Sequence, residues 1–364
     1  MDGRDAPIVP VPAGDLRAAE ALSASLRVGE EIDDDIALVI TTSGTTNAPK
    51  GAMLTAAALV ASATATHDRL GGPGTWLLAL PAQHIAGMQV LIRSVLAGTV
   101  PAELDISAGF DVSELPRAVT QMGPGRRYTS LVSNQLAKVL ADPAAAESLT
   151  ELDAVLLGGG PAPASLLDAA AAAGITVVRT YGSSETAGGC VYDGIPLVGV
   201  DVRINDPGPA GEGRIVIGGS TVAKGYRNPP SSGPDPFGQP GWYHTDDIGR
   251  FDDSGRLTVL GRVDDSINTG GLVVMPGAVE AAVGRHPAVA ECAVFGVADD
   301  RLGQRVVVAV VASASVPPTL EELRARVAES LGRTAAPREL HLVDELPRRG
   351  IGKVDRQALR QRFG

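Results

Sequence analysis

The sequence is poor in cysteine and aromatic residues, and it has no long apolar run. Only two cysteines occur among 364 residues, Cys190 and Cys292, and they form no CxxC pair. Neither a disulfide framework nor a cysteine-ligated zinc site is therefore indicated, and a reducing cytoplasm fits. The longest apolar stretch, 306–316, is shorter than the roughly 20 residues of a membrane-spanning helix, and it predicts a buried strand instead.

Basic residues are also scarce relative to acidic ones. Lysine and arginine number 31 against 42 aspartate and glutamate, which gives a net charge of −11. This excess argues against binding to nucleic acids or anionic membranes. It does not argue against a nucleotide, because backbone N–H groups of one loop can bind phosphate whatever the net charge. The first 15 residues lack a basic segment followed by an apolar core, so no signal peptide is indicated and a cytoplasmic location is expected.

The patterning predicts two domains of mixed α/β class. From Ile36, strands and helices alternate at a spacing that predicts a parallel sheet with flanking helices. After about Leu197, short strands between Gly, Pro and Asp turns indicate an antiparallel β subdomain. From Asp264, the pattern predicts a small, mobile α+β domain. We therefore expect a large N-terminal domain at 1–262 and a C-terminal lid domain at 263–364, separated at GRVDD (261–265).

The first candidate site is TTSGTTNAPKG at 41–51, which follows the predicted strand 36–41. Its hydroxyl and N–H groups can surround phosphate oxygens, and Lys50 supplies a cation. It is not a Walker A loop, because Pro49 stands at the second glycine position and Gly51 at the Ser/Thr position. The alternative is an ordinary polar turn. The predicted phosphate-binding residues are Thr42, Ser43, Gly44, Thr45, Thr46 and Lys50.

This loop and four later segments resemble the adenylate-forming superfamily, which includes acyl-CoA synthetases, luciferases and peptide-synthetase adenylation domains. The later segments are YGSSET (181–186), WYHTDD (242–247), GRVDD (261–265) and PRRGIGK (347–353), in the family's order. Ser184 stands where threonine is usual and Asp246 where glycine is usual. The resemblance covers about 36–356. It implies that ATP activates a carboxylic acid as its acyl-adenylate with Mg²⁺, and that coenzyme A then accepts the acyl group.

The resemblance also implies roles for individual residues. Lys353 and Thr45 would be catalytic, Asp247 would bind the ribose, and Arg262 the ribose or a phosphate. Glu185 would hold Mg²⁺, and Asp264 would be the hinge about which the small domain turns. The other residues expected at ATP or AMP are Gly158, Gly159, Gly160, Tyr181, Gly182, Ser183 and Ser184.

Two of these assignments have support from the residues alone. Tyr181 can stack on a purine. The glycines at 158–160 let a flat base approach the backbone, whereas Pro163 at the third glycine position of a GxGxxG pattern rules out a dinucleotide fingerprint.

A second resemblance within the superfamily indicates which carboxylic acid is the substrate. LPAQHIAGMQVLIRSVLAG (80–98) and SLVSNQLAKVL (130–140) resemble segments of o-succinylbenzoate–CoA ligases, which act in menaquinone biosynthesis. This implies an acyl pocket with His84 as a catalytic gate and with Gly87 and Ser133 in its wall. Arg93 would pair with the substrate's second carboxylate, or it only anchors its helix. NTGGL (268–272) replaces an SGGE-like stretch on the thiol side.

Compared with typical members of the superfamily, we expect this chain to lack roughly the first hundred or more residues. The resemblance also leaves room for a homodimer. Three alternatives stay open. They are an aryl- or fatty-acid–CoA ligase, a domain that loads a carrier protein, and a non-catalytic nucleotide sensor. The joint presence of Lys353, Glu185 and Asp247 favours an enzyme over a sensor.

Overall fold

The structure is a computed structural model that describes residues 6–12, 14–42, 50–229, 233–313, 315–349 and 353–364. Ser43, Gly44, Thr45 and Thr46 of the predicted phosphate loop lie outside the described residues, as does 350–352. The helices are α1 Leu16–Ser25, α2 Ala56–Leu70, α3 Ile85–Ala97, α4 Leu115–Gln121, α5 Ser133–Leu140, α6 Pro143–Thr150, α7 Ala164–Ala172, α8 Pro276–Val283, α9 Leu320–Leu331 and α10 Arg356–Phe363.

The described residues also contain 20 strands. They are β1 Ile36–Thr41, β2 Gly51–Thr55, β3 Thr75–Leu78, β4 Ala102–Glu103, β5 Arg127–Val132, β6 Ala154–Gly158, β7 Val177–Ser183, β8 Gly188–Tyr192, β9 Ile195–Pro196, β10 Val200–Asn205, β11 Gly213–Gly219, β12 Trp242–Phe251, β13 Leu257–Arg262, β14 Ile267–Thr269, β15 Leu272–Val274, β16 Val289–Asp299, β17 Gly303–Ala312, β18 Glu339–Leu342, β19 Arg348–Arg349 and β20 Lys353–Val354. Short 3-10 turns occur at Val112–Glu114, Ser184–Thr186 and Val263–Asp265.

The central sheet has seven strands in the order β4-β3-β5-β6-β7-β8-β9. The pairs from β4 to β7 are parallel, as the sequence predicts, and β8 and β9 continue the sheet antiparallel. The carboxyl ends of parallel strands share one edge of a sheet, where ligands of α/β proteins bind. The loops after β3, β5 and β6 and the end of β7 therefore meet at one edge.

Both faces of this sheet are covered, because successive side chains of a strand point to opposite faces. Val155 and Leu157 of β6 pack with α4–α7 on one face, in a cluster that also contains Leu115 and Val139. Leu156, the residue between them, packs on the other face with residues of the antiparallel sheet. The apolar strands are thus buried on both sides, which is typical of a parallel sheet.

The first strand departs from the prediction. We expected β1 in the parallel sheet, but it pairs antiparallel with β2, a strand that the sequence pattern did not reveal. The apolar run of β2 leads directly into the alanine-rich helix α2, so no break separates the two. Thr55 ends the strand and caps the helix, since its hydroxyl accepts a hydrogen bond from the Ala58 N–H at 3.0 Å. The predicted phosphate loop therefore connects two antiparallel strands, β1 and β2.

The C-terminal region forms separate sheets. Strands β10–β13 make an antiparallel sheet, and β15-β14-β17-β16 make another with β18 parallel to β17. Alternate residues of β17 face α8 and α9 on one side and α10 on the other. Among the described residues, no strand pairing joins the parts before and after Arg262. The division at 262/263 stays a prediction.

No helix in the described ranges is both long and apolar enough to cross a membrane.

Candidate active site

The ends of the predicted phosphate loop are held by backbone contacts. The Thr42 N–H donates to the Lys50 carbonyl at 2.9 Å, and Thr41 lies opposite Gly51 in the hairpin. The Ser184 hydroxyl donates to the Thr41 carbonyl at 3.2 Å. The YGSSET segment at the end of β7 is thereby joined to the start of the loop.

Glycines at the sheet edge serve two purposes. A Cβ atom at Gly182 would lie 2.1 Å from the Gly188 carbonyl oxygen, and one at Gly158 would lie 2.6 Å from the Thr180 hydroxyl. These two positions require glycine for packing. Gly159 has a φ of +82°, which favours glycine as well. A Cβ at Gly160 would meet no atom within 4 Å, so its backbone borders open space that a ligand can occupy.

Tyr181 and Asp247 come from different sheets and contact each other. The Tyr181 hydroxyl donates to the Asp247 carboxylate at 2.8 Å. Burial raises the pKa of Asp247, while the hydrogen bond from Tyr181 and the charges of Arg262 and Lys353 lower it. Burial and the neighbouring Asp247 raise the pKa of Tyr181, which therefore stays a donor. The carboxylate is fixed at the sheet edge and can accept hydrogen bonds from a sugar.

Arg262 lies opposite Asp247 in the pairing of β12 with β13. Its Nε donates to Asp264 at 2.9 Å, and its terminal nitrogen lies 3.5 Å from the Asp246 carboxylate. Arg214 approaches Asp246 at 3.8 Å. The predicted hinge residue is thus ion-paired to a predicted nucleotide contact.

Lys353 reaches this site from the C-terminal region. It begins β20, which pairs antiparallel with β19, and it lies opposite Arg349 in that pairing. His84 immediately precedes α3 and is half-buried. Burial and the nearby charge of Lys353 lower the pKa of His84, and the same lysine lowers the pKa of Asp247. Three predicted site residues from three parts of the chain therefore come together.

The predicted acyl-pocket residues Gly87 and Ser133 lie beside the ends of β3 and β5. A Cβ at Gly87 would lie 2.4 Å from the Pro81 carbonyl oxygen, so glycine lets α3 approach the preceding loop. The Ser133 hydroxyl donates to the Pro161 carbonyl at 3.4 Å. The sequence analysis missed Gln135, whose amide donates to the Ala79 carbonyl at 2.8 Å.

The side chain of Gln135 also accepts from the Val132 N–H at 3.0 Å. It thereby joins the ends of neighbouring strands. A signal for it existed, because a glutamine at the third residue of a helix often bonds back to the helix start.

Arg93 is buried on α3, roughly 13 Å along the helix axis from His84 at 1.5 Å per residue. Its guanidinium carbon lies 4.8 Å from the centre of the Trp76 ring, and a terminal nitrogen lies 3.4 Å from the Tyr192 hydroxyl. Burial lowers the pKa of Arg93. In the described ranges its Nε has no hydrogen-bond partner and no carboxylate pairs with it. It is not brought into contact with the other predicted residues.

Glu185 fits the predicted metal site. Its side chain is only 5% exposed, and one carboxylate oxygen accepts a hydrogen bond from the Tyr226 hydroxyl at 2.7 Å. Within the described part of the chain, no cationic side chain forms an ion pair with it. A carboxylate is the oxygen ligand that Mg²⁺ prefers, and the Tyr226 ring that bonds this one also has the Lys50 ammonium 5.2 Å from its centre. Tyr226 is the second residue that the sequence analysis missed.

Comparisons with known proteins agree with the motif pattern. The model of the AMP-binding enzyme family matches residues 9–227, and that of the AMP-binding enzyme C-terminal domain matches 278–353. Over 366 aligned residues, the chain is 67% identical to a Mycobacterium tuberculosis protein named probable 2-succinylbenzoate–CoA ligase. That alignment covers 100% of this chain and 93% of the relative.

Solved structures with a similar fold include o-succinylbenzoate CoA synthetase (MenE) from Bacillus subtilis in complex with the acyl-adenylate intermediate OSB-AMP. The TM-score is 0.74 at 31% identity, and the alignment covers 89% of this chain and 69% of that one. The same enzyme with ATP and a magnesium ion also has a TM-score of 0.74 at 31% identity, over 91% of this chain and 72% of that one.

Proposed function

Because the chain belongs to the family of AMP-binding enzymes, we propose that it is an acid–thiol ligase acting on o-succinylbenzoate. The reaction converts ATP, o-succinylbenzoate and coenzyme A into o-succinylbenzoyl-CoA, AMP and diphosphate, in menaquinone biosynthesis. The observation that carries the proposal is the position of Lys353, whose charge acts on the pKa of both His84 and Asp247. The 67% identity to a protein named as this ligase supports the choice of acid.

In the first half-reaction, a carboxylate oxygen of the acid bonds to the α-phosphorus of ATP, and the bond to diphosphate breaks. Asp247 holds the ribose and Tyr181 lies against the base, so the α-phosphate is placed near Lys353. The lysine cation stabilises the negative charge that develops there. His84, whose pKa is lowered by burial and by Lys353, stays neutral beside the acyl group. Catalysis then consists of positioning and electrostatic stabilisation.

Glu185 and the phosphate loop would hold a Mg²⁺ ion on the phosphate oxygens. When bound, the ion neutralises charge on the phosphates. In the second half-reaction, the small domain turns about Asp264, Lys353 leaves, and the thiolate of coenzyme A attacks the acyl carbon with release of AMP. Such domain movements limit turnover in many enzymes.

Arg93 bears on the identity of the acid. O-succinylbenzoate has two carboxylates, and only one is activated. The other needs a cation if it is buried, and a buried guanidinium without a carboxylate partner among the described residues supplies one. The alternative is that Arg93 only anchors α3 through Trp76 and Tyr192.

The first experiment assays purified protein with ATP, Mg²⁺ and coenzyme A, and with o-succinylbenzoate, benzoate, a medium-chain fatty acid or no acid. Release of AMP and diphosphate with o-succinylbenzoate alone, and a thioester of the right mass, are expected. Turnover with a different acid would retain the chemistry and reject the menaquinone assignment.

An Arg93→Gln variant should raise KM for o-succinylbenzoate by roughly tenfold or more and leave KM for ATP unchanged. A loss of thermal stability with unchanged KM would support the anchor alternative.

Lys353→Ala separates the ligase from a sensor. The ligase should lose adenylate formation by about 10²–10³, because a charge-stabilising group is removed, while AMP binding persists. Isothermal titration with AMP and a diphosphate-release assay measure the two properties. A wild-type protein that binds ATP and turns over no acid would favour the sensor.

A further inference from the structure

The segment 224–228 lies beside β2, next to the end of the predicted phosphate loop. Backbone hydrogen bonds join Lys224 N–H to the Met53 carbonyl at 2.9 Å, Met53 N–H to the Gly225 carbonyl at 2.9 Å, and Arg227 N–H to the Gly51 carbonyl at 2.7 Å. The segment therefore pairs with β2 as an added strand. The backbone of Tyr226 is fixed by this pairing.

Side chains on both sides of Tyr226 strengthen the attachment. The Asn228 side-chain oxygen accepts a hydrogen bond from the Gly51 N–H at 2.9 Å. Lys224 forms ion pairs with Asp33 and Asp35 at 2.9 and 2.8 Å. These contacts join the segment to Asp33, Asp35 and Gly51. The Tyr226 side chain contacts Glu185, the predicted metal ligand.

The ring of Tyr226 lies between two opposite charges. Its hydroxyl donates to Glu185 at 2.7 Å, and the Lys50 ammonium lies 5.2 Å from the ring centre, within cation–π range. Phe237 packs edge-on against the ring at 5.2 Å, and Tyr243 stacks on Phe237 at 5.1 Å. The aromatic packing fixes the plane of the ring, so the positions of both charged groups depend on it.

The chemistry of the hydroxyl also fits an orienting role. A phenol is a hydrogen-bond donor at physiological pH, and this one lies 2.7 Å from a Glu185 carboxylate oxygen. A donated hydrogen bond to one carboxylate oxygen holds the group in one rotamer. The second oxygen then has a defined direction in which to meet a cation.

We propose that Tyr226 is a positioning residue for the metal-bound nucleotide, whose hydroxyl orients the Glu185 carboxylate and whose ring holds the Lys50 ammonium at the base of the phosphate loop. This inference rests on the proposed function, because it takes Glu185 and Lys50 as the groups that meet Mg²⁺ and the phosphates. Tyr226 acts through these two groups and is not itself a catalytic residue.

The test compares the full-length wild type with Tyr226→Phe, which keeps the ring and its packing but removes the hydroxyl. Lys224→Gln is the matched control, because it changes the same segment without touching Glu185. Electron paramagnetic resonance follows free Mn²⁺ as it is titrated into protein with ATP and no acid. Calorimetry measures AMP affinity in EDTA, and thermal melting checks folding.

We expect Tyr226→Phe to weaken Mn²⁺–ATP binding by roughly tenfold, since a hydrogen bond to a charged group is lost. Its AMP affinity in EDTA should equal that of the wild type, and Lys224→Gln should match the wild type in both. The concentration of Mg²⁺ that gives half-maximal turnover should rise in Tyr226→Phe by a similar factor.

Two results would overturn the inference. One is an unchanged Mn²⁺–ATP affinity in Tyr226→Phe. The other is an equal loss of AMP affinity in EDTA, which would mean that the residue supports the whole site and not its metal. A wild type that binds neither Mn²⁺–ATP nor AMP would instead refute the proposed function, and the inference with it.

Discussion

At the scale of single residues, Asp247 shows how binding and stability oppose each other. Its carboxylate is taken out of water, and burial raises its pKa above that of a free aspartate despite the hydrogen bond from Tyr181. A raised folded-state pKa means that ionisation disfavours folding. The charge is retained where a ribose would bind, so its cost to folding is offset by its use in binding.

Replacing Asp247 by Asn should therefore stabilise the protein while weakening nucleotide binding. The penalty from ionisation is absent below the unfolded-state pKa of about 3.9 and grows as the pH rises through the folded-state pKa. The variant should then melt at a higher temperature than the wild type at pH 7, and the difference should shrink toward pH 4. AMP affinity at pH 7 should fall by about 10- to 100-fold through loss of charge-assisted hydrogen bonds.

Thermal melts across this pH range and calorimetry with AMP provide the measurements. Tyr181→Phe serves as the control, because it removes the donor and leaves the carboxylate. It should lower the melting temperature at pH 7. An Asp247→Asn variant that melts at the wild-type temperature at every pH would contradict the argument.

Single residues could be predicted from the sequence where a local motif contains them. Lys353, Asp247 and His84 were identified in this way, and the structure brings them together. Tyr226 was missed because its partner Glu185 lies 41 residues away in the chain, and the contact of Gln135 with Ala79, 56 residues away, was equally unpredictable although its bond to Val132 has a local signal. Hydrogen bonds over such separations depend on how strands pair, and no local pattern encodes that pairing.

At the scale of elements, the same limit explains the error at β1. The run 36–41 was correctly predicted as a strand, but its partner could not be inferred, because β2 continues into the helix that Thr55 caps. Helix ends are easier to predict, because the residues that cap a helix lie close together in the sequence. Thr319 caps α9 through the Glu322 N–H, and the two residues form a capping box, a pattern that a sequence shows directly.

The ion pairs at the ends of β12 and β13 allow a test at this scale. Asp246, where the family has glycine, places a second negative charge beside Asp247 and pairs with Arg262 and Arg214. Asp246→Asn should lower KM for ATP by about two- to fivefold, because a repulsive charge is removed and Arg262 is released toward the phosphates. Stability should change little, since these pairs are exposed.

Steady-state kinetics at low and high salt would measure this effect, which should be larger at low salt. Asp253→Asn is the control, because it removes the same charge at the turn between β12 and β13. An equal change in KM for both variants would show that net charge alone is responsible.

At the scale of the whole molecule, ion pairs connect α10, the helix that follows Lys353, to the residue next to the predicted hinge residue Asp264. Arg356, at the start of α10, lies 3.3 Å from Asp265 and 2.6 Å from Glu280 of α8. Arg360 approaches Asp265 at 3.3 Å. The segment that contains Lys353 is thus attached to the residue that follows Asp264, so both should move together.

Restricting rotation at the predicted hinge should slow the second half-reaction and leave the first unchanged. Asp264→Pro fixes one backbone angle, whereas Asp264→Ala removes only the ion pair with Arg262. We expect the proline variant to form the adenylate at a rate close to that of the alanine variant. Its thioester formation should be slower by roughly tenfold or more, which equals about 1.4 kcal/mol of additional barrier. Single-turnover release of diphosphate and of AMP distinguishes the steps, and equal slowing of both would reject the hinge.

The contacts of Arg356 also connect the Lys353 segment to an exposed part of the C-terminal sheet. Its guanidinium bonds the Val294 carbonyl of β16 at 3.0 Å, and β16 belongs to the same sheet as β15, where Leu272 and Val273 are exposed. The helix that follows Lys353 is therefore joined to the sheet that contains Leu272. A fluorophore attached at position 272 should therefore move with the hairpin that contains Lys353, and its signal would report that movement.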